Sequence, residues 1–313
     1  MISFLASPKP FIGWISVIQQ QAIRSWLGVH PLSDVTLFGR FGELPEWLRL
    51  DRRVRIYTDV PASPSGAPDF SAIAIESMNG HYHEVQIYLN ADIIMPKNLI
   101  SVLSLVTTSP YLIIGQRINL PENYVFPLES ADWNGVIRGL VDNKLAELYA
   151  ISGVDYFIFK KGTWRGLKRL IVGRGGYDGA LVAHCLRKRI EIFDATIVLP
   201  VLHQYHDYSH MRGGLSEARD GSEAISNYII HDIYHGTPGT SDAKFMLTKS
   251  GVVCSRCRGD YIRFLEVGLR YKYNLKYLSL FVRTIWRAKE YFGAFPSKKI
   301  LIDDIIEKNE KQN

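Results

Sequence analysis

Three histidines and an aspartate are crowded into one short segment of the 313-residue chain. His203, His206 and His210 fall within eight residues, and Asp207 lies among them. Spacings of three and four residues can bring imidazole groups onto one metal ion, and Asp207 could be a further ligand or accept a hydrogen bond from an imidazole. A polar loop whose histidines bond to backbone and water would have the same composition, so both interpretations stay open.

Another carboxylate follows an apolar run at residues 85–89. Asp92 lies in the stretch 88–94 (YLNADII), where a strand would deliver it at its carboxyl end. A hard oxygen ligand in that position could hold Mg²⁺ or Mn²⁺ against a diphosphate. Taken alone the signal is weak, because an aspartate at a strand end is more often a helix N-cap or a turn residue.

A glycine-rich turn at residues 173–178 (GRGGYD) precedes an apolar stretch that we predict to be a helix. Free N–H groups at the start of that helix could bind an anion. Asp178 is then either the N-cap of the helix or a catalytic carboxylate. The turn lacks the Lys and Ser/Thr of a P-loop. Asp155 is similarly placed, beside the start of an apolar run.

The elements that must position these residues alternate along the first two thirds of the chain. Short apolar runs separated by helical patterns predict an α/β fold with a mainly parallel sheet and helices on both faces. In such sheets, ligands bind beyond the carboxyl ends of the strands. The predicted strands are residues 11–18, 35–38, 54–57, 85–89, 111–114 and 156–159, with a long β pattern at 190–202 and a helix at 69–78.

The composition is that of an ordinary globular protein, with 47% hydrophobic and 22% charged residues. Three cysteines cannot build a disulfide framework, which favours a reducing compartment. Charged residues interrupt every apolar run before the roughly 18 residues that a membrane span needs. Since no signal peptide is recognisable either, we expect a cytoplasmic protein.

Cys254 and Cys257 have the spacing of half a zinc site, but no second pair follows, so zinc is not expected there.

The net charge of +6 is concentrated near the C-terminus. Residues 256–299 contain eleven Lys or Arg and three acidic residues, so this segment carries +8 and the remainder −2. This distribution argues against a nucleic-acid-binding core and indicates a basic appendage. We predict a catalytic domain at 1–255 and a basic helical extension at 256–313. The amphipathic stretch 261–292 could lie on an anionic membrane surface or pack on the domain.

Taken in order, seven stretches resemble a family of glycosyltransferases with the nucleotide-diphospho-sugar transferase (GT-A) fold, found in bacteria and plants. The resemblance covers roughly residues 5–230, and it rests on the order of the stretches, since no single one is decisive. The stretches are residues 8–26 (PKPFIGWISVIQQQAIRSW), 35–39 (VTLFG), 88–94 (YLNADII), 113–117 (IIGQR), 153–159 (GVDYFIF), 173–185 (GRGGYDGALVAHC) and 194–210 (DATIVLPVLHQYHDYSH).

The resemblance implies a divalent metal site. GT-A enzymes usually carry Asp-x-Asp after a central strand, and the last carboxylate holds the metal on the donor diphosphate. Asp92 is the matching ligand, with Mn²⁺ or Mg²⁺ as the ion, and Asn90 replaces the first aspartate and would bond to the ribose or a phosphate. A histidine nearer the C-terminus often completes such a site, which makes His203, His206 and His210 the candidates.

An inverting member of the family would need a carboxylate to deprotonate the acceptor hydroxyl. Asp178 matches the position of that base, and Asp155 is the second choice. Further donor-binding candidates are Arg117 and, just past the second predicted strand, Gly39 and Arg40 for the nucleotide, with Arg24 for the diphosphate. Gly39, Arg40 and Arg24 could equally be structural.

The partners implied by the resemblance are a nucleotide-diphosphate sugar and a glycan or lipid-linked acceptor, as in cell-surface polysaccharide assembly. A lipid-linked acceptor would suit a peripheral position on the inner face of the membrane. Two other functions stay open: a catalytically degenerate sugar-nucleotide fold acting as a membrane adaptor, or a hydrolytic metal centre, for which zinc would be typical. The residues of that hydrolytic centre would be Asp92, His203, His206, Asp207 and His210.

Overall fold

The computed structural model describes residues 1–151, 153–206, 214–234, 236–254 and 261–291, with the backbone alone for 261 and 286–291. The strands are β1 (Ile2–Ala6), β2 (Asp34–Phe38), β3 (Val54–Tyr57), β4 (Val85–Leu89), β5 (Ile93–Ile94), β6 (Tyr111–Ile114), β7 (Arg117–Asn119), β8 (Glu147–Leu148), β9 (Tyr156–Lys160), β10 (Glu191–Asp194), β11 (Val201–His203), β12 (Phe245–Thr248) and β13 (Gly251–Cys254). The helices are α1 (Gly13–Val29), α2 (Glu46–Leu50), α3 (Phe70–Asn79), α4 (Leu99–Leu103), α5 (Trp133–Asp142), α6 (Tyr177–Arg187), α7 (Gly214–Asp220), α8 (Ser222–Ile230), α9 (Tyr261–Val267) and α10 (Lys276–Tyr291).

The larger sheet has nine strands in the order β13-β12-β10-β6-β9-β4-β1-β2-β3. Strand β9 is antiparallel to β4 and β6, and β13 is antiparallel to β12, whereas the other neighbours are parallel. This mainly parallel sheet, flanked by helices, confirms the predicted fold class. Because β9 is reversed, it begins at the edge where β1, β4 and β6 end. We call this the carboxyl edge.

Helices cover both faces of the large sheet. On one face, Trp26 of α1 stacks on Phe4 of β1 at 5.9 Å between ring centroids, within one hydrophobic cluster. On the other face, Phe70 of α3 and Tyr177 of α6 pack edge to face within a second cluster. Full burial of a side chain such as Phe4 contributes about 1.5–3 kcal/mol, so both faces stabilise the sheet.

A smaller four-stranded sheet, ordered β5-β11-β7-β8, continues beyond the carboxyl edge. The chain enters it directly from the large sheet, since β5 follows β4 and β7 follows β6 after short turns. Ile94, Ile118 and Leu202 on this sheet pack with Ile137 and Leu140 of α5. The second sheet therefore lies beside the turns that leave β4 and β6.

Two predicted elements were wrong. Residues 11–18 are not the first strand: the chain begins with β1, and α1 starts at Gly13 and buries Ile18, Ala22 and Trp26 at helical spacing. A continuous apolar run has no period that separates a strand from a buried helix, which explains the error. The long β pattern at 190–202 divides into β10 and β11, which belong to different sheets.

The C-terminal described segment is helical, as predicted, and it packs on the α/β core. Between α9 and α10 the chain forms a π-helical turn, Gly268–Lys272. Its Tyr271 is buried in the cluster that contains α6. Arg263, Arg270 and Arg283 are buried too, so these cations point inward rather than into solvent.

The boundary between the two predicted domains at residue 255 stays a prediction. Within the described residues, no helix is long and apolar enough to span a membrane.

Candidate active site

Asp92 lies in the turn that leaves β4 at the carboxyl edge. Strand β5 begins with the next residue and pairs antiparallel with β11, so that His203 lies opposite Ile93. The main-chain N–H of Gln204 donates to the Asp92 carbonyl at 3.2 Å. This pairing brings β11 and the residues after it against Asp92, although they are distant in sequence.

Asp92, His203 and His206 form a cluster in which one ligand atom from each lies within 4.8 Å of the others. The Nε2 atom of His206 is 2.8 Å from Oδ2 of Asp92, and Nε2 of His203 is 3.7 Å from the same oxygen. All three side chains are largely buried. The structure therefore brings together three of the four residues predicted to hold a metal. The fourth, His210, lies outside the described residues, as does Asp207.

The protonation states in this cluster suit a metal ligand set. Burial by itself would raise the pKa of Asp92, but His203, His206 and Lys9 hold it below its ordinary value. Burial lowers the pKa of His203 to about 4, against the opposing charge of Asp92. At neutral pH the carboxyl is therefore ionised and His203 is neutral, as metal ligation requires.

Two buried atoms of the cluster have unused bonding capacity. Oδ1 of Asp92 and Nδ1 of His203 have no hydrogen-bond partner among the described residues. Buried polar atoms are nearly always paired, so this oxygen and this nitrogen can accept a further ligand. A carboxylate with two imidazoles is a donor set that suits Mn²⁺ or Zn²⁺ better than Mg²⁺. The residues present thus fit a divalent metal ion.

Asp155 precedes β9 and lies at the centre of a second polar group. The Asn90 side-chain amide donates to its Oδ1 at 2.7 Å, and Arg117 forms an ion pair with its Oδ2. The guanidinium of Arg117 also lies over the ring of Tyr149, 4.2 Å from its centroid. Both oxygens of Asp155 are therefore engaged, which makes this carboxylate a poor candidate for the base.

Asp178 is the second residue of α6 and is not its N-cap. The N-cap is Gly176, whose φ of +76° is accessible to glycine at little cost. Oδ1 of Asp178 accepts a hydrogen bond from the Gly179 N–H at 2.8 Å. Burial raises the pKa of Asp178 to about 6, and the negative charge of Asp155 adds to this effect. A carboxyl with such a pKa can exchange a proton near neutral pH.

The predicted donor-binding residues lie at different places in the fold. Gly39 follows β2 at the carboxyl edge, with a φ of +127°, and Arg40 beside it is exposed. Arg24 is exposed over the ring of Trp47, 4.8 Å from its centroid. Among the described residues its guanidinium contacts Trp47 of α2 rather than Asp92, His203 or His206, so the structure does not bring Arg24 into the metal cluster.

Lys9 is a site residue that sequence reasoning missed. Its Nζ atom lies 3.3 and 3.4 Å from the two ring nitrogens of His206. Lys9 follows β1, so the rule that site residues follow strands would have identified it. Lys9 was not recognised because the first strand was assigned to residues 11–18, which follow it.

Solved structures of glycosyltransferases are similar to this chain at low sequence identity. Staphylococcus aureus TarS 1–349 in complex with UDP-GlcNAc is 12% identical over 86% of this chain and 73% of that chain, with a TM-score of 0.47. GalNAc-T7 with UDP, GalNAc and Mn²⁺ is 14% identical over 75% and 49%, also at 0.47. Mycobacterium tuberculosis glucosyl-3-phosphoglycerate synthase is 13% identical over 74% and 80%, at 0.40. The solved structures to which the chain is similar are thus glycosyltransferases, the class that the sequence resemblance named.

The similarity to known proteins is limited to solved structures. No protein-family model matches the chain. No curated protein matches it in sequence. The chain spans 57% of another TarS 1–349 structure and about half of GalNAc-T7. With TM-scores below 0.5, these similarities do not transfer a substrate or a reaction to this chain.

Proposed function

We propose that the chain is a glycosyltransferase that moves a sugar from a nucleotide-diphosphate donor to a glycan or lipid-linked acceptor. The observation that carries the proposal is the cluster of Asp92, His203 and His206 at the carboxyl edge, beside the cations Lys9 and Arg117. The three ligands would hold a divalent ion, and the adjacent cations favour an anionic ligand such as a diphosphate. Bound there, Mn²⁺, or less favourably Mg²⁺, would offset the charge that develops on the leaving diphosphate.

Asp178 is proposed as the base that takes the proton from the acceptor hydroxyl in an inverting transfer. Its pKa of about 6 keeps it ionised at neutral pH while leaving it basic enough to accept a proton. Asn90 and Arg117 hold the Asp155 side chain in place. Because both residues contact Asp155, we propose that they form one side of the donor-binding site. Gly39 and Arg40 are proposed to contact the nucleotide.

A zinc-dependent hydrolase is the rival function that one observation favours. Two imidazoles and a carboxylate are a ligand set found in catalytic zinc sites, where water occupies the open position. Against this, Lys9 lies within 3.4 Å of the His206 ring, and a cation there disfavours a metal ion without an accompanying anion. The transferase proposal provides that anion in the donor diphosphate.

The C-terminal helices support a proposed position at the inner face of the membrane, where a lipid-linked acceptor for polysaccharide assembly would be reached. Tyr277 and Phe281 are 92% and 63% exposed, and Leu278 and Ile285 are exposed on the same side of α10. Ser279 and Val282, on the other side, are buried. Aromatic and aliphatic side chains on one helix face can insert at headgroup depth.

The experiment that tests the proposed function is a thermal-unfolding screen with UDP, GDP, ADP and dTDP, each with and without Mn²⁺. A ligand at about a hundred times its dissociation constant adds about 2.7 kcal/mol to the free energy of unfolding, which is readily measured. We expect one nucleotide to stabilise the protein in a metal-dependent way and Asp92→Asn to abolish the effect. Asp142→Asn, which changes an exposed aspartate of α5, is the matched control.

The other outcomes separate the alternatives. Stabilisation by zinc alone, with no effect of any nucleotide, would favour the hydrolase and contradict the transferase. If neither nucleotides nor metals stabilise the protein, a degenerate fold acting as an adaptor becomes the better account.

A further inference from the structure

The ammonium group of Lys9 occupies the neighbourhood in which a metal ion would bind. Its Nζ atom lies within 3.4 Å of both ring nitrogens of His206. The same ring lies 2.8 Å from Oδ2 of Asp92 through its Nε2 atom. Lys9 therefore contacts one of the three residues that would hold the metal, and that residue contacts a second.

The main chain of Lys9 is fixed by a buried side chain. The Lys9 N–H donates to Oε1 of Gln19 at 2.7 Å, and Nε2 of Gln19 donates to the Lys9 carbonyl at 2.9 Å. Gln19 is 2% exposed within α1. Two hydrogen bonds to one buried amide hold the turn after β1 against the helix, so the Lys9 side chain extends toward the cluster from a fixed point.

A lysine ammonium and a divalent cation on the same ligands repel each other. Like charges a few ångströms apart in a partly buried site interact strongly, because water screens them poorly. An anion between the two cations offsets this repulsion, since a diphosphate has oxygens for both the metal and an ammonium donor. The ammonium of Lys9 and a metal ion can therefore occupy the site together when a diphosphate is bound, and they repel each other when it is not.

We propose that Lys9 couples metal binding to diphosphate binding: it weakens metal binding to the empty site and contacts the diphosphate together with the metal in the loaded site. This inference rests on the proposed function and assigns Lys9 as a diphosphate-binding residue. The site would then fill with metal and diphosphate together, and the metal by itself would bind weakly.

Lys9→Met tests the inference because it removes the charge and keeps a side chain of similar length. The first measurement is the dissociation constant of Mn²⁺ alone, by electron paramagnetic resonance of the free ion. The second is the dissociation constant of inorganic pyrophosphate at saturating Mn²⁺, by calorimetry. We expect Mn²⁺ to bind about tenfold or more tightly in Lys9→Met and pyrophosphate to bind about tenfold more weakly. A merely structural role would not change the two affinities in opposite directions.

Two control variants test whether the effect depends on the charge and the position of Lys9. Lys9→Arg keeps the charge and should retain weak Mn²⁺ binding. Lys160→Met removes a lysine at the opposite edge of the sheet, where Lys160 pairs with Val85 at the start of β4, and should leave both affinities unchanged.

Failure of the inference is distinguishable from failure of the proposed function. Unchanged Mn²⁺ affinity in Lys9→Met, or weaker binding of both ligands, overturns the role of Lys9. The proposed function survives that result if the native protein binds Mn²⁺ and Asp92→Asn abolishes the binding. A native protein that binds no Mn²⁺ even with pyrophosphate overturns both.

Discussion

The side-chain amide of Asn90 donates a 2.7 Å hydrogen bond to Oδ1 of Asp155, while Arg117 pairs with the other oxygen of that carboxylate. An aspartate at position 90 could not donate this bond. It would instead place a second carboxylate against Asp155. The contact gives a physical reason for asparagine in the triplet of residues 90–92 (NAD), where the resemblance leads one to expect aspartate.

Asn90→Asp is therefore expected to destabilise the protein. Removal of the hydrogen bond and the repulsion between the two carboxylates together should lower the free energy of unfolding by about 1–3 kcal/mol. Urea denaturation at neutral pH measures this change.

Asn90→Ala is the control, since it removes the hydrogen bond without adding a charge. It should cost about 1 kcal/mol. If the aspartate variant is as stable as the alanine variant, repulsion from Asp155 is not the reason for asparagine at this position.

Asp178→Asn is expected to raise stability and lower activity. Burial raises the pKa of Asp178 from its ordinary 3.8 to about 6, so the folded protein holds this proton more tightly than the unfolded chain does. Ionisation of Asp178 then costs stability as the pH rises from about 4 to 6, by up to about 3 kcal/mol at pH 7. Urea denaturation should show the variant more stable than the native protein at pH 7 and equally stable at pH 4.

The turnover of Asp178→Asn should fall by about 10²–10⁴ if Asp178 is the base. The native activity should rise with pH through about 6, as the carboxyl ionises. A variant that is less stable at pH 7 would show that the Asp178 carboxylate supports the fold, in conflict with the raised pKa.

Arg263→Met should strongly destabilise the protein. Arg263 donates to both oxygens of Asp242 at 2.7 and 2.8 Å and to Glu266 at 2.6 Å, and both acids are at most 3% exposed. Loss of the arginine leaves two buried carboxylates without their cation, which costs about 3–5 kcal/mol. Urea denaturation monitored by circular dichroism measures the loss.

Lys276→Met provides the comparison within the same segment. Lys276 pairs with Asp232 at 2.9 Å, but both side chains are more than 40% exposed. An exposed ion pair contributes about 0–1 kcal/mol. Equal effects of the two substitutions would show that the Arg263 cluster does not hold the C-terminal helices on the core.

Binding to anionic vesicles should depend on the exposed face of α10. The double substitution Tyr277→Ser and Phe281→Ser removes two aromatic side chains that contact solvent, so it should weaken co-sedimentation with phosphatidylserine vesicles at least tenfold. Thermal stability should change little, because neither side chain is buried.

Ile229→Ser is the matched control, since Ile229 is 67% exposed and lies on α8, outside this segment. It should leave vesicle binding unchanged. A native protein that does not co-sediment, or an equal loss in the control, would refute a membrane contact through α10.

Much of the site could be predicted from the sequence because the site residues follow strands. Asp92 and Arg117 could be located by the apolar runs that precede them, and parallel strands end at one edge. The α/β class followed from the same alternation. These inferences need local patterns alone, and the structure agrees with them.

Other features depended on which strands pair. The sequence could not show that β9 is reversed, which brings Asp155 to the carboxyl edge and against Asn90. Nor could it show that three arginines of the basic segment are buried, because charge alone suggests exposure.

The sequence by itself determined the residue types of the site and the elements that carry them. Tertiary structure alone decided which residues meet: His206 reaches Asp92 because β11 pairs with β5, and Lys9 joins them because Gln19 fixes the turn after β1. The physical reason is that periodicity records which side of an element is buried, whereas a contact between distant residues depends on strand order and register. Those are set by the packing of the whole chain.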